Sequence, residues 1–298
     1  MDHPGVTARA IRLSKGFSQK EIYTGIISKS FAISFEQGKV MLNHFDFVQV
    51  LDRLSLSWSE FEFIHGGYQN SENVSLWRQF AEAANTKDRV QLEVIYHVHQ
   101  DDKSDFGKVV AYLSRAFLNN MTADSDQPSE PCTDKETRFL IRYLMDKESW
   151  MLDETNLFTS FYYLFEEQTQ ETLIRNCYRS LQRYRKYPGY PERMFNLLTN
   201  YIAHCYATFR RDEGDEWLNR LREMPRSKTY LHQVVNARFC EAIHCAAHGQ
   251  EKAGRETAEE CSTVFRVLGF LQEATAILDE FEAFLALYRG DGRGERHG

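Results

Sequence analysis

Apolar residues recur along most of the chain at the spacing of amphipathic helices. From about residue 70 onward they return every three or four positions, which is the pattern of a helix with one buried face, and the alternation typical of a strand is scarce. This pattern predicts an all-α protein. The clearest apolar stripes contain Val110, Leu113, Phe117 and Met121; Leu157, Phe161, Leu164 and Phe165; Leu198, Tyr201, Ile202, Cys205, Tyr206 and Phe209; Val235, Phe239, Ala242, Ile243 and Ala246; and Leu271, Ala274, Leu278, Phe281 and Leu285.

Proline and glycine divide these stripes into pairs. The breaks fall at residues 127–131, 188–191, 225 and 269. Helix pairs therefore recur at intervals of roughly 35 to 40 residues, which is typical of solenoids built from helical hairpins, although no complete tetratricopeptide consensus is present. We predict a degenerate helical-hairpin, tetratricopeptide-like solenoid over residues 72–288. The residues after it, 289–298, contain no apolar side chain and are predicted to be a disordered tail.

The first residues of the chain carry the signals of several short helices. Ser18 and Glu21 have the spacing of a capping box, in which each side chain satisfies a free backbone N–H at a helix start. Gly25 can adopt a positive φ and end that helix, and Ser28 is a second N-cap. The next helix runs to about Gln37. Two short helices joined by a tight turn that contains glycine are typical of a helix-turn-helix, although other αα-hairpins share the pattern.

Apolar residues on both sides of this pair predict a five-helix bundle. A short helix precedes the pair, around Ile11, and two more follow it. The first of these carries Phe45, Val48, Leu51 and Leu54, and the second carries Leu56, Trp58, Phe61 and Ile64. A unit of this size can bury a modest core. We therefore assign residues 1–66 to one domain and residues 67–71 to a linker.

The second helix of the pair has a largely polar outer face. Its inward residues are Ile27, Ala32 and Phe35, and its outward residues are Lys29, Ser30, Ile33 and Ser34. Short hydrogen-bond donors beside a lysine suit base edges and phosphates in the major groove of DNA. We predict that Lys29, Ser30 and Ser34 face base edges. The predicted phosphate contacts are Arg12, Lys15, Gln19, Ser28 and Lys39. The alternative is an ordinary solvated helix surface.

The distribution of charge supports a polyanion as the partner of the first domain. Residues 1–39 contain six Lys or Arg and three Asp or Glu, a local charge of +3. The whole chain carries −7, so the remaining residues sum to −10. A basic region on an acidic protein is where double-stranded DNA would bind.

The ordered segments SQKEI, IISKSF, FEQG and VLDRLSLSWSEF resemble the lambda-repressor-like DNA-binding domain of Rgg/GadR/MutR-type transcriptional regulators. Residues 139–144, 148–150 and 154–158 resemble the C-terminal domain of the same family. The resemblance implies a tetratricopeptide-like domain that dimerises and binds a short signalling peptide, often hydrophobic, on its concave face, as in quorum sensing. The family often has basic residues where Ser34 and Gln37 stand here. This departure keeps a second interpretation open, a helical-repeat scaffold with a vestigial DNA-binding bundle.

Amide side chains mark a surface that such a peptide could use. Two rows of polar side chains at helical spacing contain Asn196, Asn200 and His204, and His232, Asn236, Cys240 and His244. Asn can both donate to and accept from a peptide backbone. We predict that Asn196, Asn200 and Asn236 bind the peptide and that Arg142 binds a carboxylate. The alternative is polar helix surface without a ligand.

A single helix-turn-helix reads only a short half-site of DNA. Two copies related by a two-fold axis are the usual way to read a symmetric operator. We therefore predict a homodimer. The candidate interface residues on the last long helix are Leu278, Phe281 and Leu285.

Other functional classes find little support. No segment has the length of a transmembrane helix, and residues 1–10 lack the apolar core of a secretory signal. The six cysteines form no CxxC pair, so reduced thiols and a cytoplasmic location are predicted. No catalytic motif is present, so we predict neither an enzyme nor a cofactor. Cys240, His244 and His248 share a helix face, but no second ligand cluster accompanies them and no metal site is predicted.

Overall fold

The protein is all-α. The computed structural model describes residues 3–122 and 133–291, and within these ranges it contains sixteen α-helices, two 3-10 turns and no strand. This confirms the predicted fold class. The helices are α1 (Pro4–Ser14), α2 (Gln19–Tyr23), α3 (Lys29–Glu36), α4 (His44–Arg53), α5 (Trp58–His65), α6 (Glu72–Asn85), α7 (Arg89–His99), α8 (Asp105–Thr122), α9 (Asp134–Met145), α10 (Leu152–Phe161), α11 (Glu167–Gln182), α12 (Tyr190–Ala207), α13 (Arg211–Arg222), α14 (Leu231–Ala247), α15 (Glu251–Val267) and α16 (Leu271–Asp291), and the 3-10 turns are Tyr162–Leu164 and Lys228–Tyr230.

The chain divides into two compact units, Met1–Cys132 and Thr133–Gly298. The first unit contains α1–α8 and the second contains α9–α16. The sequence predicts a domain boundary at residues 67–71, where the structure has the non-helical connection between α5 and α6. That boundary stays a prediction, because the contacts group α6–α8 with the five helices before them.

Local hydrogen bonds define the ends of α2 and α3. The Ser18 hydroxyl accepts from the Glu21 N–H at 3.2 Å, and the Glu21 carboxylate accepts from the Ser18 N–H at 2.7 Å, which confirms the capping box. Gly25 follows α2 with a φ of +82°, a left-handed conformation that disfavours a side chain. Ser28 then caps α3 by accepting from the Phe31 N–H at 3.3 Å. The elements α2, turn and α3 form the predicted helix-turn-helix.

An aromatic core holds the first five helices together. Phe35 on α3 packs edge-on against Tyr23 of α2 and Phe47 of α4, and Phe47 packs in the same way against Phe61 of α5. Such pairs add about 0.5–1.5 kcal/mol each beyond the area that they bury. Gly5 brings α1 close to α3, because a Cβ at this position would overlap the carbonyl oxygen of Phe35. Aromatic packing and a close backbone approach therefore set the position of α3.

The buried face of α4 differs from the predicted one. Leu51 and Leu54 are buried as predicted, but Phe45 is 82 % exposed and Val48 is half-buried, and Phe47 and Val50 complete the buried stripe. Asn43 caps α4 by accepting from the Asp46 N–H at 2.9 Å, so Phe45 lies in the first turn, on the solvent side. The spacing that counted Phe45 as buried was wrong, because the buried stripe begins at Phe47.

Helices α6, α7 and α8 pack on one another. The ring of Phe80 on α6 meets the ring of Phe117 on α8 edge-on, with 5.5 Å between centroids, and Leu92 of α7 is fully buried. The Arg115 guanidinium of α8 lies 3.9 Å from the ring centre of Tyr96 on α7, which is a cation–π contact. Aromatic contacts therefore hold this part of the first unit as they hold the bundle before it.

The second unit is built from alternating helices. Helices α10, α12, α14 and α16 pack side by side in succession, and α11, α13 and α15 lie between them in the chain. Trp217 of α13 packs edge-on against Tyr201 of α12, and the Cys240 thiol of α14 approaches the Thr199 carbonyl of α12 at 3.8 Å. This arrangement agrees with the helical-hairpin solenoid predicted from the sequence.

Some predicted features lie at the limits of the described residues. The break at 127–131 lies outside them. Helix α16 continues to Asp291, past the predicted start of the tail at residue 289, and residues 292–298 also lie outside. Within the described ranges, no helix is long and apolar enough to cross a lipid bilayer.

Candidate functional site

The outer face of α3 is a small surface with one charge. Lys29 and Ser30 are exposed and Ser34 is half-buried, so all three lie on the predicted side of the helix. Ala32 and Phe35 are buried and anchor the opposite side. The first turns of α3 are therefore open to a partner.

Two apolar side chains and one amide extend this face. Phe31 and Ile33 are 40 % and 37 % exposed. Apolar side chains in the major groove can contact the methyl group of thymine. Gln37, the C-cap of α3, is also exposed and carries an amide of the kind that pairs with adenine. Together with Ser30, these residues suit the reading of base edges better than the attraction of phosphates.

An internal ion pair lies directly behind α3. The Arg12 guanidinium donates to both carboxylate oxygens of Glu36, at 2.6 Å and 2.8 Å, and to the Phe17 carbonyl at 2.7 Å. The Gln19 amide donates to the same carboxylate at 2.7 Å. The Arg12 and Glu36 side chains are only 8 % and 2 % exposed. Arg12 and Gln19 thus hold α3 from the inside. Arg12 is too buried for the phosphate contact that we predicted, whereas the half-buried Gln19 uses one amide N–H here and its phosphate contact stays a prediction.

The Glu36 carboxylate stays ionised in spite of its burial. Burial opposes ionisation, but hydrogen bonds from Arg12 and Gln19, together with the positive charge of Arg12, keep the pKa of Glu36 below its ordinary value. Burial also raises the pKa of Tyr23, and the nearby carboxylate adds to this effect, so its phenol remains neutral. The ion pair is therefore present throughout the neutral pH range.

The remaining predicted phosphate contacts lie at the surface. The Lys15 ammonium donates to the Leu54 carbonyl at 2.6 Å, where a cation favourably meets the C-terminal end of α4. Ser28 is exposed, with its hydroxyl 3.2 Å from that of Ser30. Lys39 is exposed just after α3. Ser28 and Lys39 thus flank α3 at its two ends, whereas Lys15 is bonded to α4.

The side chain of Arg53 fixes the turn between α2 and α3. Its guanidinium donates to the carbonyls of Ile22 and Thr24 at 2.9 Å and 2.6 Å. These carbonyls close the C-terminal end of α2, where free acceptors and the helix dipole favour a cation. Sequence reasoning missed Arg53 because its partners lie 31 and 29 residues earlier and no local pattern connects them.

A narrow exposed stripe crosses the otherwise buried helix α12. Asn196 and Asn200 lie on this stripe. The Tyr162 hydroxyl, in the turn after α10, donates to the Asn200 carbonyl at 2.9 Å, and α12 also packs against α14. Helix α13 contacts α12 where Tyr201 donates to Glu213 at 2.7 Å. The two amides are thus exposed on a helix that packs against α10, α13 and α14.

Asn236 belongs to α14, the next helix of the same layer. It is half-buried, and its amide nitrogen lies 3.4 Å from Nδ1 of His232, one turn earlier. Cys240, one turn later, directs its thiol to the Thr199 carbonyl, beside Asn200. Asn200 and Asn236 therefore lie on neighbouring helices.

His204 does not belong to the exposed stripe. Its Nε2 lies 3.1 Å from the side-chain oxygen of Gln170, which also accepts from Arg210 at 3.0 Å. Burial, with the nearby charge of Arg210, lowers the pKa of His204 to about 4. The ring is therefore neutral at pH 7 and donates through Nε2 to the amide oxygen. His204 ties α12 to α11 rather than facing a ligand.

Arg142 lies on the outside of α9. Its side chain is 74 % exposed and pairs with Asp146, one turn later, at 3.9 Å. Leu140 and Leu144 are fully buried and turn the other face of α9 inward. Arg142 therefore points away from the side on which α9 packs, and we leave it out of the peptide site proposed below.

Two of the three predicted interface residues are internal. Phe281 and Leu285 are each 1 % exposed, and Leu278 is half-buried, because α16 uses this stripe to pack within its own unit. Exposed apolar side chains occur instead around the turn between α15 and α16. We call this set the α15–α16 patch, and it consists of Val264, Val267, Leu268, Phe270 and Leu271.

Known proteins share both the sequence pattern and the fold of this chain. The family model of the C-terminal domain of the HTH-type transcriptional regulator Rgg matches residues 92–278. A protein of Listeria monocytogenes EGD-e described as a transcriptional regulator superposes with a TM-score of 0.82 at 24% sequence identity, covering 97% of this chain and 99% of that chain.

Two further solved structures resemble the chain over almost its whole length. One is the SHP pheromone receptor Rgg2 of Streptococcus dysgalactiae, with a TM-score of 0.74, 17% identity, and coverage of 94% of this chain and 99% of that chain. The other is PrgX in its complex with cCF10, with a TM-score of 0.67, 14% identity, and coverage of 96% and 94%. At these identities the structures show a common fold.

Proposed function

Because this chain belongs to the Rgg family of helix-turn-helix transcriptional regulators, we propose that α3 binds operator DNA and that the second unit senses a short signalling peptide. The observation that carries the DNA-binding half is the two-sided construction of α3. Its inner side is held by the buried pair of Arg12 and Glu36, and its outer side presents free polar and apolar groups. A helix held rigidly in this way can place its outer side chains against base edges.

Residues on the outer face of α3 contact base edges, and residues at its two ends contact phosphates. Lys29, Ser30 and Ser34 face base edges, and Ile33 and Phe31 contact thymine methyl groups. Phosphates are bound at the two ends of α3 by Ser28 and Lys39, with Lys15 a weaker candidate because α4 shares its ammonium. Only one lysine lies within α3, so the affinity of a single copy is low and two copies act together.

The DNA contacts are tested by measuring fluorescence anisotropy of labelled DNA from upstream of the gene at several salt concentrations. Lys29→Ala is expected to weaken binding and, where Lys29 also touches a phosphate, to reduce the salt slope by about one unit. Ser30→Ala is expected to change the preference among operator variants by about 1–3 kcal/mol at one base pair. Lys252→Ala, on the surface of α15, is the control and should have no effect. Unchanged affinity and preference in both α3 variants would contradict the assignment.

The peptide half of the proposal rests on the fold and on the amides of the second unit. Rgg2 is a pheromone receptor and PrgX is seen with cCF10, and both share the fold of this chain. Asn196, Asn200 and Asn236 project from two adjacent helices, α12 and α14. Each can donate to and accept from the backbone of an extended peptide, while neighbouring side chains define pockets for its residues.

Isothermal titration calorimetry tests the peptide site with the peptide that co-purifies with the full chain, identified by mass spectrometry and resynthesised. Asn200→Ala and Asn236→Ala should each weaken binding by about 1–3 kcal/mol, since a buried peptide amide loses its partner. Asn219→Ala is the matched control, because this exposed asparagine lies on α13. Equal affinities for all three variants and the wild type would remove the amides from the site.

We also propose that the chain acts as a homodimer in the cytoplasm, with the α15–α16 patch in the interface. These apolar side chains are open to solvent, whereas Phe281 and Leu285 are not. Burial of an exposed apolar surface stabilises association at roughly 25 cal/mol per Å². Val267→Asp with Leu271→Asp should shift the chain to monomer in sedimentation experiments, and an unchanged dimer would exclude the patch.

The second candidate function is a helical-repeat scaffold that does not bind DNA. The single lysine on the face of α3 is the observation that favours it. The anisotropy experiment separates the two functions, because a scaffold shows no preference among DNA sequences. Neither function involves catalysis.

A further inference from the structure

One carboxylate and two imidazoles converge in the second unit. Asp215 belongs to α13, His244 to α14, and His248 is the residue that ends α14. One potential ligand atom from each side chain lies within 4.8 Å of the other two. Nδ1 of His244 is 2.9 Å from one carboxylate oxygen, and Nε2 of His248 is 3.1 Å from the other. The three side chains are 34 %, 26 % and 32 % exposed, so the cluster is open to solvent.

The hydrogen bonds of His248 determine which nitrogen faces the carboxylate. Its Nδ1 lies 2.9 Å from the His244 carbonyl, and because a carbonyl can only accept, Nδ1 carries the proton of the neutral ring. Nε2 then faces the oxygen of Asp215 and is the nitrogen that could bind a metal ion.

Tyr206 of α12 supports the carboxylate. Its hydroxyl donates to Asp215 at 2.7 Å. A carboxylate oriented by an outer hydrogen bond is typical of metal ligands.

We propose that Asp215, His244 and His248 bind one divalent transition-metal ion of the zinc type. Ligands of tetrahedral zinc at about 2.0–2.1 Å from the ion lie about 3.3 Å from one another. The distances from the two imidazoles to the two carboxylate oxygens, 2.9 Å and 3.1 Å, are close to that separation. Three protein ligands and a solvent-exposed side leave the fourth position for water. Imidazole donors favour zinc, cobalt or nickel over magnesium and calcium.

This site shares its two histidines with the group on α14 that the helix pattern brings together, but not the cysteine. The Cys240 thiol is buried and directed to the Thr199 carbonyl, so it does not join the two histidines. Asp215 completes the set instead, from a position 29 residues before His244. A local spacing pattern contains no signal for a ligand at that separation.

A metal ion at this site would link several helices of the second unit. It would join α13 to α14 directly and reach α12 through Tyr206. The Tyr206 carbonyl in turn accepts from the Tyr288 hydroxyl of α16 at 2.7 Å. Because a bound ion stabilises only the folded arrangement of its ligands, metal should raise the unfolding temperature of the chain. The proposal does not depend on the DNA or peptide contacts above.

The test uses the full-length chain, freed of metal with a chelator and titrated with Zn²⁺ against a competing dye, and with Co²⁺ by absorption spectroscopy. One ion per chain is expected, with a rise in the unfolding temperature. His248→Gln and Asp215→Asn should each weaken zinc binding by at least about tenfold. Loss of a residue that only hydrogen-bonds a metal ligand already has an effect of this size, and these two residues are the ligands themselves. His248→Gln removes an exposed side chain at the end of a helix, so it reports on the site even if Asp215→Asn does not fold.

Two control variants exclude other ligands. His232→Gln, on the same helix, and Cys245→Ser, next to His244 in the chain, should bind zinc as the wild type does. Absence of zinc binding by the wild type, or equal binding by His248→Gln, would overturn the proposal. Stabilisation by mild acid without any zinc binding would also overturn it, because the cation between the groups would then be a proton.

Discussion

The two units bury their polar groups in different ways. In the first, Arg12 and Glu36 form an ionised pair inside the bundle, with Gln19 as a third member. In the second, the Gln170 amide joins the neutral ring of His204 to the Arg210 guanidinium. The bundle network fixes the orientation of one short helix, α3, whereas the second network ties successive helices of the solenoid. The first network thus orients one proposed docking helix, whereas the second, in which Arg210 also pairs with Glu213 at 3.1 Å, joins the stacked helices of the solenoid.

The same difference appears in the exposed surfaces. The proposed DNA surface lies on one eight-residue helix and its two ends. The proposed peptide surface is assembled from α12 and α14, and the proposed metal site from α13 and α14. The peptide surface and the metal site both depend on how α14 packs against its neighbours, so a substitution that disturbs this packing should affect both sites.

The largest expected effect comes from the buried ion pair. Glu36→Ala should destabilise the chain by about 3–5 kcal/mol, because it leaves the Arg12 charge buried without a partner. Glu216→Ala is the control in the second unit. Its pair with Arg175 is 40 % and 34 % exposed and is worth about 1 kcal/mol or less. Urea denaturation measures the loss of stability in both variants, and similar losses would show that burial does not make the Arg12–Glu36 pair more important than the half-exposed pair.

A double substitution separates the charge from the shape of the bundle core. Arg12→Met combined with Glu36→Leu replaces both partners with apolar groups and should recover most of the stability lost in Glu36→Ala. DNA affinity should remain below that of the wild type if the ion pair orients α3. If the double variant regains both the stability and the DNA affinity of the wild type, the Arg12–Glu36 ion pair only fills the core and does not orient α3.

The second network predicts a dependence on pH. Burial lowers the pKa of His204 to about 4, whereas the ring in the unfolded chain titrates near 6.5. Below pH 6.5 the unfolded state therefore binds a proton that the folded state refuses, so stability falls as the pH decreases from about 6.5 to about 4. At about 1.4 kcal/mol per pH unit the loss reaches about 3 kcal/mol.

His204→Gln removes the titrating ring while keeping an amide donor near Gln170. Thermal unfolding between pH 7 and pH 4.5 should show a smaller decrease in this variant than in the wild type. His97→Gln, on the exposed surface of α7, is the control. Identical pH profiles for His204→Gln and the wild type would show that the buried ring does not cause the dependence.

The parts of the structure that could be predicted are those defined by near neighbours in the chain. The capping box of Ser18 and Glu21, the turn at Gly25 and the cap at Ser28 each depend on residues within a few positions, and all three are confirmed. The helical period likewise predicted the all-α fold. The prediction that Phe45 is buried was wrong, because a stripe of three-residue spacing could begin at Phe45 or at Phe47. The Asn43 cap fixes where α4 begins and places Phe45 on the solvent side.

The parts that could not be predicted depend on distant partners. Arg12 looked like an exposed phosphate contact because its partner Glu36 lies 24 residues away. Arg142 has the charge to bind a carboxylate, and the apolar stripe of α16 has the side chains of an interface. Only the packing of the helices decides which face of each is exposed. Asp215 joins His244 and His248 for the same reason. Periodicity shows that a helix has a buried face, and tertiary contacts decide what each face meets.

The smallest effect concerns the N-cap of α3. Ser28→Ala should cost about 1 kcal/mol of stability, because the Phe31 N–H loses its acceptor. Ser28→Asp keeps an acceptor at this position and should restore the stability. It should nevertheless weaken DNA binding, since it adds a negative charge beside the proposed phosphate contact. If both variants bind DNA equally well, Ser28 acts only as a cap.

The central claim is that the outer face of α3 reads DNA sequence. Selection of binding sites from a pool of random double-stranded DNA by the full-length protein, followed by sequencing, tests it without knowledge of the operator. The wild type should enrich a motif with two-fold related half-sites, about one helical turn or a multiple of it apart. Ser30→Ala combined with Gln37→Ala should change the bases enriched within each half-site while keeping their separation. No enriched motif, or the same half-site bases for both proteins, would contradict the account.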